Sequence, residues 1–425
     1  MAPNKPPTHT INLSLPPHAR YAALATAYAP TLHVLPDLYS EAVSHLALPS
    51  SFFHLLGRLL LRRLHSTEQT SELRGISEAS GVPMYLLIAY NVFLDLLVGC
   101  TSGGAMTHEP RSAAEATMLH FRTLDWSMPV LRDLIVQYEF VERDSGEVVA
   151  RTLGYVGFVG VLTGVRKGLS ISLNFRPYRN ARGLEGENLM YCWNMVLMLL
   201  GWRPSVASVM RGFLLPREAA GEKKQRRRLV KKSEREQGDG EGEEKEGKKS
   251  PNFSILLPYT PTDVVNLLPH MRTSVAYLIF CTGTETIILE KDFQSARTLR
   301  SSSFISTTNH DVAFESAANP QAAQQHIQSQ TNPFLGASMQ EVLDESIKRK
   351  QCLSDRWQEW SQQQGRKAKR GQPAAAGMSL RTLIRWVEAY PVCNAVTHFA
   401  CIMDPREGSF RWVRKFDQGE IVDLD

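Results

Sequence analysis

Residues 90–104 read YNVFLDLLVGCTSGG and residues 120–126 read HFRTLDW, and the fold turns on these two stretches. The first reads as a long apolar helix ending at Gly99, with Cys100 directly after it and Thr101 and Ser102 behind. A lone cysteine is ordinarily a small buried residue, and by itself Cys100 would be no more than that. The second stretch is an apolar strand that carries Arg122 and ends in Asp125. Charges on a strand that should be buried need partners or a task, because an unpaired buried charge is strongly disfavoured. Alone, Arg122 and Asp125 read as a structural ion pair; beside Cys100 they read as the electrostatic support of a nucleophile.

Working outward, Tyr21–Leu35, Phe52–Leu64 and Pro83–Leu97 space their apolar residues as helices do, so residues 18–98 read as helical with little strand signal. Downstream the character changes. Met118–Leu124, Val148–Leu153, Tyr155–Leu162 and Leu169–Leu173 are short β-rich runs, with Gly164 and Lys167-Gly168 marking a turn. Glu187–Leu200 reads as helix, and Val275–Phe280, Thr286–Leu289 and Phe304–Thr308 as strands. Ala395–Met403 and Ser409–Val413 flank the turn Asp404–Gly408. The plan is a helical segment over 1–99 followed by mixed α/β structure over 100–425.

The chain has 425 residues, of which 43% are hydrophobic and 21% charged, a globular composition that excludes a wholly disordered, collagenous or disulfide-stapled protein. Net charge is +5, but residues 222–249 hold 11 basic and 8 acidic side chains, leaving 37 basic against 35 acidic elsewhere. A near-neutral body does not indicate a nucleic-acid partner. Three stretches read as insertions: 217–250, nearly devoid of apolar groups; 315–331, rich in Ala, Gln, Ser and Asn; and 361–377, which runs into alanines. The basic run Lys223–Lys232 reads as a solvated loop, with a localisation or polyanion-binding patch as the alternative.

The six cysteines have no CxxC spacing and the histidines no HExxH pairing, so no metal and no cofactor are expected. The Pro-rich N-terminus shows no apolar signal-peptide core, which by sequence alone gives a cytoplasmic expectation, and no apolar run reaches the roughly 20 residues of a membrane span. Phe52–Leu64 (FFHLLGRLLLRRL) gathers Leu55, Leu56, Leu59, Leu60 and Leu64 on one wide face. Such a helix suits peripheral contact with an anionic lipid surface, or equally a core position with arginines reaching outward.

These residues resemble the acid ceramidase and N-acylethanolamine-hydrolysing acid amidase family, in the cholylglycine-hydrolase branch of the N-terminal-nucleophile hydrolases. The resemblance runs through TINLSLPPHARY (10–21), ELRGISEASGVP (72–83), YNVFLDLLVGCTS (90–102), FRTLDW (121–126), GYVGFVGVLTGVRKGLSISLN (154–174) and ISTTNHD (305–311). It implies an α+β fold, an αββα sandwich made as a precursor and cut between Gly99 and Cys100, with the freed segment staying packed as a partner chain. The new α-amine, whose ordinary pKa is roughly 7.7–8.0, would take the proton from its own thiol, so no catalytic histidine is needed. By the same resemblance Arg122 favours the thiolate, Asp125 accepts hydrogen bonds from the amine, and Asn309 donates to the oxyanion.

Departures from the family pattern accompany the likeness. The strand ending in Asn174 is followed by Phe175 where the family has a glutamate whose backbone N–H helps form the oxyanion hole; a backbone donor survives that change. For a second family arginine, Arg349 is the candidate and Arg356 its rival. The expected substrate is a lipid amide, ceramide first, with N-acylethanolamine hydrolysis or a non-catalytic lipid-binding relative as alternatives. Tyr191, Met195, Met198, Leu199 and Trp202 are candidates for an apolar channel wall, or simply core. The family suggests an acidic lumen, against the cytoplasmic reading of the N-terminus.

Overall fold

The computed structural model describes residues 4–44, 49–93, 99–108, 116–142, 146–177, 179, 186–215, 261–315, 339–373 and 375–421. Its strands are β1 (Thr8–Asn12), β2 (Gly99–Thr107), β3 (Thr117–Asp125), β4 (Ile135–Val141), β5 (Val148–Tyr155), β6 (Thr163–Arg166), β7 (Leu169–Phe175), β8 (Ala276–Cys281), β9 (Thr286–Lys291), β10 (Ala296–Ser301), β11 (Phe304–Thr307), β12 (Thr397–Asp404) and β13 (Ser409–Lys415). They form an eight-stranded sheet ordered β1-β4-β5-β6-β7-β8-β9-β10 and a five-stranded sheet ordered β11-β2-β3-β12-β13. The helices are α1 (Ala22–Ala27), α2 (Ala29–Leu32), α3 (Leu35–Ser44), α4 (Ser50–Leu60), α5 (Thr67–Ser80), α6 (Met84–Phe93), α7 (Glu187–Leu199), α8 (Val206–Leu214), α9 (Pro261–Leu267), α10 (Met339–Lys369) and α11 (Leu380–Glu388).

Side-chain alternation along the strands builds the layers. On β7, Leu169, Ile171 and Leu173 join Met210, Phe213 and Leu214 of α8 in the larger core. The intervening Ser170, Ser172 and Asn174 turn to the other sheet, where the two serines bracket His120 at 3.0 and 2.8 Å and Asn174 meets Ser102 and Arg122. On the smaller sheet, Ala105, Leu119, Phe121, Ala400 and Ile402 face outward and pack on Leu353, Leu383 and Val387 of α10 and α11. The result is helix, sheet, sheet, helix: the expected αββα sandwich.

Several local expectations are corrected. The segment 1–99 is not helical throughout, because β1 pairs in parallel with β4, Thr8 opposite Gln137 through Asn12 opposite Val141. Gly99 begins a strand instead of ending a helix. The apolar run Tyr155–Leu162 leaves the sheet after Tyr155, since Gly157 adopts a φ of 85° that a strand cannot continue through. That loop is nonetheless buried, and its backbone is satisfied by Asn91, which donates to the Gly157 carbonyl at 2.8 Å and accepts from the Val159 N–H at 2.8 Å. Residues 361–369, read as an insertion loop, extend α10 through Gln, Arg, Lys and Ala, all good helix formers, until Gly371 turns at a φ of 71°. Met378 then docks, buried, on β2. Residues 217–250 and 316–331 lie outside the described residues, while Glu315 closes a short turn and pairs with Lys350.

The helix α4 buries only Gly57 and turns its leucines to solvent, with Leu55 57% exposed. Leu189, Met190, Trp193 and Val196 of α7 are likewise exposed, and Gly201 brings the end of that helix against the Arg63 backbone. Among the described residues no helix is long and apolar enough to cross a membrane.

Candidate active site

Cys100 sits second in β2, opposite Leu124 of β3, at the end of the sandwich where both sheets and α10 meet. It is completely buried. The thiol sulfur lies 3.2 Å from Arg122 Nη2, and the Cys100 N–H donates to Asn309 Oδ1 at 2.9 Å. Arg122 itself is held by the Leu173 carbonyl at 2.7 Å and Asn174 Oδ1 at 3.1 Å, so its guanidinium cannot swing away from sulfur. Burial pushes the thiol pKa up; Arg122 opposes this most strongly, Asp125 adds to it, and Arg349 and the Phe175 backbone N–H favour the thiolate. The Phe175 backbone thus counts among the influences on the thiol despite the altered side chain.

Asp125 ends β3 and is buried, which raises its pKa; Arg349 is the main opposing influence, followed by Thr397. Arg349 donates to Asp125 Oδ2 at 2.8 Å and Thr397 Oγ1 donates to Oδ1 at 2.7 Å. The carboxylate lies against Gly99: a Cβ there would stand 3.3 Å from Asp125 Cβ and 3.8 Å from Oδ2. Arg349 also reaches Thr101 Oγ1 at 3.0 Å and Asn309 Oδ1 at 2.9 Å. Its rival Arg356 points elsewhere on α10, to the Trp386 carbonyl.

Cys100, Arg122, Asp125, Asn174, Phe175, Asn309 and Arg349 thus come together. Two hydrogen bonds of the uncut chain, in which the Cys100 nitrogen is still part of a peptide bond, stand beside the roles expected of them. The Cys100 N–H goes to Asn309 and not to Asp125, whose oxygens are taken by Arg349 and Thr397. Asn309 Nδ2 donates to the Phe175 carbonyl at 2.7 Å, because the two donors converging on Oδ1 turn its nitrogen the other way.

Sequence reasoning missed Thr101, Ser102, Thr397 and Ser346; the last accepts the Asn309 backbone N–H at 2.7 Å. Small hydroxyl residues carry no signal until the sheets bring them together. It also missed Arg176, two residues beyond Asn174, which grips Asp311, two beyond Asn309, at 2.9 and 2.6 Å, and Asp292 at 3.1 Å. Tyr277 completes this buried cluster through a 2.8 Å bond to Asp311. Charges at the ends of two apolar strands were the available clue. Among the described residues no three His, Cys, Asp or Glu side chains gather as metal ligands would.

An apolar pocket opens beside Trp126, the residue after Asp125. Leu35, Leu38, Leu86, Ala89, Tyr90 and Leu131 line it. The residues of α7 expected as a channel wall do not line this pocket. Met198 belongs to the core and Trp202 is 56% exposed, so the helical spacing there serves two different environments.

Residues 4–64 match a family model described as the beta subunit of N-acylethanolamine-hydrolyzing acid amidase. Mouse (Mus musculus) acid ceramidase is 29% identical over 187 residues, 40% of this chain and 45% of that protein. The Caenorhabditis elegans N-acylethanolamine-hydrolyzing acid amidase is 30% identical over 183 residues, 40% of this chain and 48% of that protein. The chain spans about half the length of the curated relatives it matches. A solved structure of a C. elegans N-acylethanolamine-hydrolyzing acid amidase ortholog gives a TM-score of 0.41 at 19% identity, covering 72% of this chain and 93% of that one.

Proposed function

Since the chain is a relative of the acid ceramidases and N-acylethanolamine-hydrolyzing acid amidases, we propose that it is a self-processed cysteine amidohydrolase acting on the N-acyl amide of a lipid. The observation that carries this reading is the pairing on one buried residue of a sulfur under Arg122 and a backbone nitrogen already held by Asn309.

In the processing step the Cys100 thiol attacks the Gly99 carbonyl carbon, the Gly99–Cys100 C–N bond breaks, and the nitrogen takes up the proton released by sulfur. Water then hydrolyses the resulting thioester, freeing the Gly99 carboxylate, the thiol and an α-amine. Nothing on Gly99 obstructs the attack. In turnover that amine serves as base for its own thiol, and Asn309 Oδ1 stands where it can hold the amine beside sulfur. Sulfur adds to the amide carbonyl of the substrate, the protonated amine delivers its proton to the departing nitrogen, and water releases the fatty acid. The Phe175 N–H is the candidate donor to the tetrahedral oxygen, with Arg122 compensating negative charge on sulfur.

Ceramide is the proposed substrate, giving a sphingoid base and a fatty acid. N-acylethanolamine is the second reading, favoured by the match of residues 4–64. The freed segment 1–99 is proposed to stay bound, supported by the β1–β4 pairing and by Arg20, Glu72 and Arg211 across the same boundary. A lipid surface is the proposed partner of the exposed apolar faces of α4 and α7.

Intact mass separates the amidase from a non-catalytic relative: fragments ending at Gly99 and beginning at Cys100 are expected, and a persistent full-length chain overturns the proposal. Hydrolysis of ceramide and of N-acylethanolamine between about pH 4 and 8, with Cys100→Ala as control, then identifies the head group. Turnover that survives Cys100→Ala refutes the mechanism.

A further inference from the structure

Arg132 is a buried cation without a carboxylate. It stands in the short helical turn Pro129–Leu134 and is only 5% exposed, yet among the described residues it forms no ion pair. Its Nη2 donates to two backbone carbonyls, of Ala395 at 2.8 Å and of Thr397 at 3.2 Å, and its Nε is buried without a partner. A guanidinium withdrawn from water in this way is disfavoured, and burial lowers its pKa. What it grips is the turn Asn394–Thr397 that leads into β12. The same turn is held from the active-site side, where the N–H of Trp126, the residue after Asp125, donates to the Val396 carbonyl at 2.7 Å.

The turn runs into an irregularity of the ladder. Thr397 lies opposite Asp125 and Phe399 opposite Leu124, so His398 is an extra residue on β12. Residues two apart on a regular strand share a face, but here Phe399 enters the larger core with Leu124 while Thr397 turns to Asp125. The Thr397 hydroxyl accepts the Asn394 N–H at 2.9 Å, so its single proton goes to Asp125 Oδ1 at 2.7 Å. We propose that Arg132 and Thr397 are positioning residues: Arg132 fixes the turn, and the turn aims one hydroxyl at the Asp125 oxygen that Arg349 does not hold. The inference rests on the amidase reading and adds two residues to its site. Around Asp125 the charged and titratable groups are Arg349 and Glu345 of α10, Arg122 of β3, Cys100 of β2, Tyr155 of β5 and Cys393 ahead of β12. Against burial, Arg349 does most to favour the carboxylate, and the Thr397 hydroxyl comes next, ahead of Arg122.

The test reads the acid limb of kcat/KM on ceramide and on N-acylethanolamine. Thr397→Val keeps the shape and removes the hydroxyl, so the limb should move to higher pH by about one unit, and Thr397→Ser should restore it. Arg132→Met, with Arg132→Gln as the milder change, should move the limb the same way. Once Thr397 is valine, neither should add to the shift, because Arg132 acts through that hydroxyl. An unmoved limb in Thr397→Val with only a lower plateau or melting temperature, or shifts that add in the double variant, overturns the inference. Infrared titration of the Asp125 carboxyl in Cys100→Ala protein reads the same shifts without turnover. A carboxyl that shifts in a protein hydrolysing neither amide would retain the positioning of Asp125 and lose the amidase; hydrolysis with an unshifted carboxyl would do the reverse.

Discussion

Asn309 Oδ1 receives two donors, the Cys100 N–H and Arg349, each at 2.9 Å, and this fixes which way the side chain faces. Arg349 does more than orient an amide, since it is also the main influence holding down the pKa of buried Asp125. Replacing it by methionine should leave Asp125 to the effect of burial, and loss of an adjacent opposite charge typically moves a carboxyl by roughly 1–3 units. If the Asp125 carboxylate is required, activity is lost as pH falls through its pKa. The acid limb of kcat/KM in Arg349→Met should therefore move to higher pH, and an unmoved limb with only a lower plateau would contradict the role. Cys100, Arg122 and Asp125 were legible because a thiol and two charges stand out in apolar sequence. Arg349 was much less so: forty residues separate it from Asn309, and only the packing of α10 shows why it, and not Arg356, belongs to the site.

The β2 strand shows why the junction is written Cys-Thr-Ser-Gly-Gly. A Cβ on Gly104 would lie 1.8 Å from Thr286 Oγ1 of the facing sheet, and one on Gly103 2.1 Å from the Ile305 carbonyl, so only glycine lets the strand sit this close to both. Their bareness was visible in sequence; its purpose needed the second sheet. Between α5 and α8, Glu72 is fully buried, paired with Arg211 at 2.5 Å and Arg20 at 3.1 Å. Removing one partner of such a cluster strands the others without water, so Glu72→Ala should lower stability by roughly 3–5 kcal/mol in urea unfolding. A loss below about 1 kcal/mol would mean the arginines find solvent. Elsewhere, Arg176 and Asp311 brace the ends of β7 and β11 that present Phe175 and Asn309, which explains why charges close two apolar strands.

The molecule as a whole encloses neutral imidazoles. Burial is the main cause that lowers the pKa of His120 and His398 from 6.5 to about 3 in each case. The unfolded chain then binds more protons than the folded one between those values, so stability is full above about pH 6.5 and declines as pH falls toward 3, by on the order of several kcal/mol. Asp125 and Glu290, whose pKa values burial raises, partly offset this. The melting temperature of Cys100→Ala should drop between about pH 6.5 and 4, and His398→Asn, which keeps an acceptor for Tyr155, should soften the decline; a level profile would show that the imidazoles hydrate without unfolding. The layered fold was legible from apolar periodicity and from the family likeness, whereas the polar filling between the sheets was not, because serines and a histidine alternate with apolar residues just as solvent-facing ones would. One consequence concerns manufacture. A recombinant product starting at Cys100 would leave the flank of β4 that β1 now covers as a bare row of amides and carbonyls, a template for association between molecules. Both pieces should therefore come from a single translated precursor, and a separately made large fragment would be recovered as an aggregate.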